Sequence, residues 1–235
     1  MGTAMEKYDV KRALRPLYAP SAKNFSLVKV PPMRFLAIDG HGDPNVSAAY
    51  AEAVEALYAS SYALKFHSKK ELDRDYVVAP LEGLWWAEDM AAFTAGGAGG
   101  TDGASRDKAG WDWTMMISQP DWITTELVTD ILAQVAAKKE LPGLSRLRID
   151  ELYEGLSVQI LHIGPYDNEG PVLARLHHEF MPANNLAFNG KHHEIYLSDP
   201  RRSSPEKLKT ILRQPVAPAS SADPAAAANE SAPSS

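Results

Sequence analysis

Along the chain, short apolar runs rich in β-branched and aromatic residues alternate with longer stretches of helical period. Met33 to Ile38, Tyr76 to Pro80, Trp111 to Ser118, Leu147 to Glu154, Leu156 to Ile163 and His193 to Leu197 read as strands. Tyr50, Val54, Leu57, Tyr58 and Leu64 share one face of a helix, and Ile123, Leu127, Ile131 and Val135 share one face of a second. Thr124 or Thr125 can cap that second helix, and Lys138 and Lys139 close it before Pro142-Gly143. A third helix is expected over Val172 to Phe180.

The order of these elements suggests duplication. Phe35 to Ile38, a turn with Gly40, Gly42 and Pro44, the Tyr50 helix and the Tyr76 strand repeat in type as Val158 to Ile163, the Gly164-Pro165-Tyr166 turn, the third helix and the His193 strand. Two strand–helix–strand units side by side leave a groove between them, a usual place for a small ligand. Two stretches lack the apolar period needed to pack. Residues 91–110 are nearly all Gly, Ala, Ser, Thr and Asp and read as a flexible loop; residues 215–235, mostly Ala, Pro and Ser, read as a disordered tail. The folded unit is therefore expected to end near Gln214.

Composition narrows the function classes. The 235 residues are 45% hydrophobic and 23% charged, as in a soluble globular protein. Acidic residues (30) outnumber basic ones (24) and no long Lys/Arg run occurs, so nucleic acid is not an expected partner. The absence of cysteine excludes disulfides, thiolate nucleophiles and Cys-type zinc sites. The N-terminal residues contain no apolar signal core, and no run reaches the ~18 apolar residues of a membrane span. A cytoplasmic protein is expected, without membrane contact.

The five tryptophans, Trp85, Trp86, Trp111, Trp113 and Trp122, occupy one short part of the chain. They can form an aromatic core, or one of each close pair can wall a pocket for a flat or cationic ligand. The segment KHHEIYLSDPRR puts His192, Glu194 and Tyr196 on one strand face and His193, Ile195 and Leu197 on the other. The first set suits acid–base chemistry or cation binding, or simply faces water. His162 sits in an otherwise apolar strand, as a core histidine or a proton donor, and Tyr166 follows at the mouth of a turn. The pairs His177-His178 and His192-His193 lack metal-ligand spacing, and no metal or cofactor is expected.

The segments KYDVKRALRPLYAP, FLAIDGHGDPN, YVVAPLEGLWW, WDWTMMISQPDWIT, VQILHIGPYDNEGPVLARLH and NGKHHEIYLSDPRRSSPEKLKTILRQPV together resemble the GyrI-like small-molecule-binding proteins. More narrowly, they resemble the stand-alone subfamily of cyclopropanoid cyclopropyl hydrolases. The resemblance implies an α+β fold, a duplicated strand–helix–strand (SHS2-type) module whose mainly antiparallel sheet carries helices and a central ligand groove. It implies an aromatic cage for a planar aromatic small molecule, with Trp85, Trp86, Trp111, Trp113, Tyr153, Tyr196 and His192 as substrate-binding candidates. A groove carboxylate from the last strand maps to Glu194.

The implied reaction is water addition to the cyclopropane of spirocyclopropyl-cyclohexadienone DNA-alkylating natural products (yatakemycin/CC-1065 type), giving self-resistance or detoxification. Such ring opening needs a base or water-orienting group, for which Glu194 is the candidate, and a donor at the carbonyl oxygen, for which Tyr166, Tyr196 or His162 suffices. The alternative is a non-catalytic protein that sequesters planar aromatic or cationic compounds. A sensor module attached to a transcription factor or gyrase fits less well, because no helix-turn-helix segment is recognisable.

Overall fold

Side-chain alternation builds nine strands among the described residues, 7–86 and 110–219 of the computed structural model. They are β1 (Ser26–Val30), β2 (Met33–His41), β3 (Leu81–Trp86), β4 (Asp112–Gln119), β5 (Arg148–Leu152), β6 (Gly155–Ile163), β7 (Leu186–Phe188), β8 (His192–Tyr196) and β9 (Lys209–Pro218). Eight run in the order β1-β6-β9-β8-β3-β4-β2-β5, β7 pairs with β9, and every strand pair is antiparallel. The helices are α1 (Val10–Ala13), α2 (Arg15–Tyr18), α3 (Ala48–Glu71), α4 (Thr125–Ala136), α5 (Gly170–Arg175) and α6 (Met181–Ala183). A π turn, Leu176–Phe180, joins the last two. The fold is α+β, a mostly antiparallel sheet with helices packed on it.

Strand order carries the mark of the repeat. Read outward from the centre, β3-β4-β2 on one side matches β8-β9-β6 on the other, and each triplet arises from a strand, a helix and two further strands in chain order. Helix α3 packs on β2 and β4. On the other half Leu173, Leu176 and Met181 pack on Val158, Ile160, Leu212 and Val216 of β6 and β9. These residues share strand parity with Glu194, and α3 shares the face of Trp113 and Trp85, so both helical layers cover one sheet face. The strands left between them are β3 and β8.

Several elements differ from the sequence reading. The expected strand over Tyr76 to Pro80 is instead a single parallel bridge from Tyr8 to Tyr76, and the ladder begins at Leu81. Pro80 has no N–H to donate, and the Val77 N–H is already committed to the Tyr8 carbonyl at 2.8 Å. Strand β9 runs to Pro218, past the expected end at Gln214, because Val216, Ala217 and Pro218 pair with Phe188, Ala187 and Leu186 of β7. The expected flexible loop, apart from Gly110, and the tail from residue 220 lie outside the described residues. Thr124, not Thr125, caps α4, its hydroxyl accepting from the Leu127 N–H at 3.2 Å. Among the described residues, no helix is long and apolar enough to cross a membrane.

The opposite sheet face, which the N-terminal segment with α2 covers, buries a charged network. His193 on β8 is fully buried, with Glu154 Oε1 2.9 Å from Nδ1 and Glu82 Oε2 3.0 Å from Nε2. Arg213 on β9 donates to Glu154 (3.1 Å), Gln159 (3.2 Å) and the Leu17 carbonyl (2.9 Å), while the Tyr18 hydroxyl donates to Glu82 (2.8 Å). The network thereby holds the N-terminal segment against β6, β8 and β9. Burial opposes the His193 charge, but the two carboxylates outweigh it and raise its pKa to about 9. Burial also opposes the Glu154 charge; His193 and Arg213 outweigh it and hold that pKa at about 2.

Candidate functional site

The uncovered strands form the floor of a cleft of about 1800 Å³ between the two helical layers. Parity aims Glu194 and Tyr196 of β8 upward from this floor, with Trp85 of β3 beside them. The Trp85 indole N–H donates to the Tyr196 hydroxyl at 2.9 Å, and that hydroxyl donates to Glu194 Oε2 at 2.9 Å. The other carboxylate oxygen of Glu194 is 3.5 Å from His192 Nε2. A buried carboxylate is thus oriented by a hydrogen-bond chain that ends on an aromatic wall.

Gly83 makes that chain possible. It pairs with Glu194 across the strands, and a Cβ there would lie 2.8 Å from Trp85 Nε1 and 3.2 Å from the Tyr196 hydroxyl. Gly83→Ala is therefore expected to displace the indole and cost about 1 kcal/mol through the weakened hydrogen bond. Urea unfolding together with tryptophan emission of the folded protein checks this; wild-type values of both would contradict it.

The walls come from both halves. Tyr50 of α3 stacks on Trp85 with ring centroids 6.4 Å apart and meets Trp113 edge-on at 5.3 Å. Trp111 meets Trp85 edge-on at 5.8 Å, and Tyr166, in the turn before α5, meets Tyr196 at the same separation. Glu169, 2% exposed, adds a second buried carboxylate to the cleft lining. Burial raises the Tyr196 and Tyr50 pKa values, reinforced by the charge of Glu194. Burial, then Glu169 and Glu194, push the Tyr166 pKa up to about 12. All three phenols remain protonated near neutral pH and present O–H donors.

The structure brings Glu194, Tyr196, Tyr166, Trp85 and Trp111 together in the cleft and places His192 buried beside Glu194 on the same sheet face, outside the lining. The other candidates lie elsewhere. Trp113 shares the face of Trp85 but is fully buried under Tyr50 of α3, where Gly40 makes room for it: a Cβ at Gly40 would fall 2.0 Å from the indole ring. Trp86 points to the opposite sheet face, with Lys191 Nζ 3.1 Å from its ring centroid. Trp122 packs edge-on against Tyr8 and Tyr76, with the Arg74 guanidinium 3.9 Å from its ring centroid.

His162 does not line the cleft. It stands on β6, separated from β8 by β9, and its Nε2 lies 3.1 Å from the Pro165 carbonyl, so its role is to hold the turn that carries Tyr166. Tyr153 is 69% exposed, outside the cleft, and its hydroxyl donates to Glu151. It lies in the tight link from β5 to β6. Tyr50, read from sequence only as a core-facing helix position, and Glu169 join the site instead. The one sequence signal for Glu169 was its place before Gly170-Pro171, where a helix begins.

The match to known proteins is consistent with this geometry. Residues 117–217 match the GyrI-like small molecule binding domain. A crystal structure of an uncharacterized conserved protein from Listeria innocua is 39% identical, covers 90% of this chain and all of its own, and superposes with a TM-score of 0.78. Two crystal structures described as a hydrolase from Listeria innocua are 38% and 39% identical with the same coverage, at TM-scores of 0.75 and 0.76. No curated protein matches significantly.

Proposed function

Because the chain belongs to the GyrI-like small-molecule-binding family, we propose that its cleft binds planar aromatic small molecules and hydrolyses them, with spirocyclopropyl-cyclohexadienone alkylators (yatakemycin/CC-1065 type) as the substrate class and detoxification as the outcome. The description of the Listeria innocua relatives as hydrolases supports a hydrolytic activity. The observation that carries the reading is the chain from Trp85 through Tyr196 to Glu194 on the cleft floor.

The chemistry needs few groups. A water oxygen bonds to the cyclopropane methylene carbon while the bond from that carbon to the spiro carbon breaks. The released electron pair moves into the dienone, which becomes aromatic, and its carbonyl oxygen takes up a proton. Glu194 accepts the proton of the attacking water, and Tyr196 and Trp85 keep its carboxylate in position. Tyr166, protonated at neutral pH, donates toward the carbonyl oxygen where charge develops. Return of the proton from Glu194 to Tyr166 resets both groups, so the net change is one water added. Trp85, Trp111 and Tyr50 hold the flat ring system in line with that water.

Two carboxylates among aromatic walls also suit a planar cation held without reaction. Turnover separates the two readings. A trace of protein with an excess of a spirocyclopropane alkylator is expected to yield many equivalents of the ring-opened, water-added product by mass spectrometry. Product formed no faster than in buffer, with binding retained, would leave a sequestering protein.

A further inference from the structure

Glu194 is held from its own strand. Across the sheet it faces Gly83 on β3 and Leu212 on β9, and neither side chain carries a donor. Polar groups on the floor reach it instead from two residues before and two after, His192 and Tyr196, which share its strand face. The Tyr196 hydroxyl donates to Oε2 at 2.9 Å, and His192 Nε2 stands 3.5 Å from Oε1. The two carboxylate oxygens therefore meet different groups. One hydrogen bond fixes one oxygen and leaves the carboxylate free to swing about its soft terminal torsion; contact at both oxygens fixes its plane.

His192 is placed to act on Glu194 and not on a ligand. It is 1% exposed, lies outside the cleft lining and pairs across the ladder with Trp85. The π turn Leu176–Phe180 brings His177 toward it, and such single turns recur at functional sites. Burial, then the facing His192 and His178, push the His177 pKa down to about 4, so the His177 imidazole is neutral near pH 7 and sets no second charge beside His192. The His177 ring is itself fixed edge-on against Phe188 of β7, with centroids 4.9 Å apart. Walled in this way, the His192 imidazole has little room to move relative to Glu194. A separation of 3.5 Å is longer than a settled hydrogen bond, as contacts of catalytic groups commonly are before a substrate is in place.

We propose that His192 is a positioning residue for the hydrolysis: at Oε1 it fixes the plane of the Glu194 carboxylate, while Tyr196 fixes Oε2, so that a lone pair left over on the carboxylate meets the attacking water. This deepens the functional reading above and rests on Glu194 as the group that takes the proton of that water. His192 touches neither substrate nor water, so its loss lowers the rate and leaves binding in place.

The test measures kcat and KM for a spirocyclopropyl-cyclohexadienone in wild type, His192→Asn and His192→Gln, with circular dichroism to check that each variant is folded. The Gln amide reaches the place of the imidazole Nε2, whereas the Asn amide is one carbon too short to reach Oε1. His192→Leu, apolar and of similar size, removes the donor by a second route. His192→Asn and His192→Leu are expected to lower kcat roughly tenfold to hundredfold with KM within about twofold, and His192→Gln to recover most of that loss. In a Glu194→Gln background, His192→Asn is expected to lower kcat no further, because the group it positions is already gone. Unchanged kcat in the Asn and Leu variants, an effect confined to KM, no recovery with Gln, or a full further loss in the Glu194→Gln background would overturn the role. Wild type without turnover would overturn it together with the hydrolase reading, whereas turnover by wild type with the variants unchanged would overturn the role of His192 alone.

Discussion

Glu194→Gln is expected to lower kcat for ring opening by roughly 10²–10⁴, the usual contribution of a general base, while changing ligand affinity only a fewfold. The amide keeps an oxygen that accepts from the Tyr196 hydroxyl, so the chain from Trp85 and the shape of the floor survive. It cannot take a proton from water, so the chemical step fails while the cage still forms. Rate and affinity must be measured separately, by product formation under saturating substrate and by binding of the ring-opened product. A variant that hydrolyses at the wild-type rate would remove Glu194 from the chemistry. A variant that loses affinity and rate together would make it a binding group for a cation.

The second large effect lies on the other side of the sheet. Arg213→Leu is expected to destabilise the fold by about 3–5 kcal/mol, because it leaves Glu154 and Glu82 buried with only His193 to balance them. For a chain of this size that corresponds to a fall in Tm of roughly 10 °C. Urea unfolding measures it directly, and a loss under 1 kcal/mol would mean that the network is not the clamp described here.

The same network fixes the pH dependence of wild-type stability. The folded pKa of His193, about 9, lies above its ordinary 6.5, so its contribution is complete below pH 6.5 and is lost as pH rises through 9. The folded pKa of Glu154, about 2, lies below its ordinary 4.5, so its contribution is complete above pH 4.5 and is lost as pH falls through 2. Stability from this pair is therefore expected to be greatest between pH 4.5 and 6.5 and to decline on both sides. In Arg213→Leu the acid flank should move to higher pH, since Glu154 loses one of the charges that hold its pKa down.

Local pattern carried much of the fold. Alternation in β2, β4, β6 and β8, the helical period of α3 and α4, and the repeated order of elements are consequences of which neighbours each backbone conformation brings to one face. That is also why His192, Glu194 and Tyr196 could be placed on one face, and why the adjacent Trp85 and Trp86 must diverge. Strand β9 escaped notice because Arg213, Gln214 and Pro215 interrupt its apolar run. Those polar groups are buried against Glu154, Gln159 and Gly190, partners from other strands and turns.

What tertiary structure alone decided was which candidates meet. Trp85 and Trp111 reach the cleft, while Trp86 points to the opposite face, Trp113 is covered on the same face by Tyr50 of α3 and Trp122 packs on Tyr8 and Tyr76, because strand order, register and the helical layers determine what lies over each side chain. His162 and Tyr153 fell away through the same long-range placement, one held two strands from Glu194 and the other exposed in the link from β5 to β6. Glu169 and Tyr50 joined the site from turns and helices whose separation in sequence says nothing of their approach in space. The sequence by itself determined the chemistry available, a carboxylate and a phenol two residues apart on a strand among many aromatic rings. Its long-range pairing, set by the burial of both halves against one sheet, turned that inventory into an oriented site.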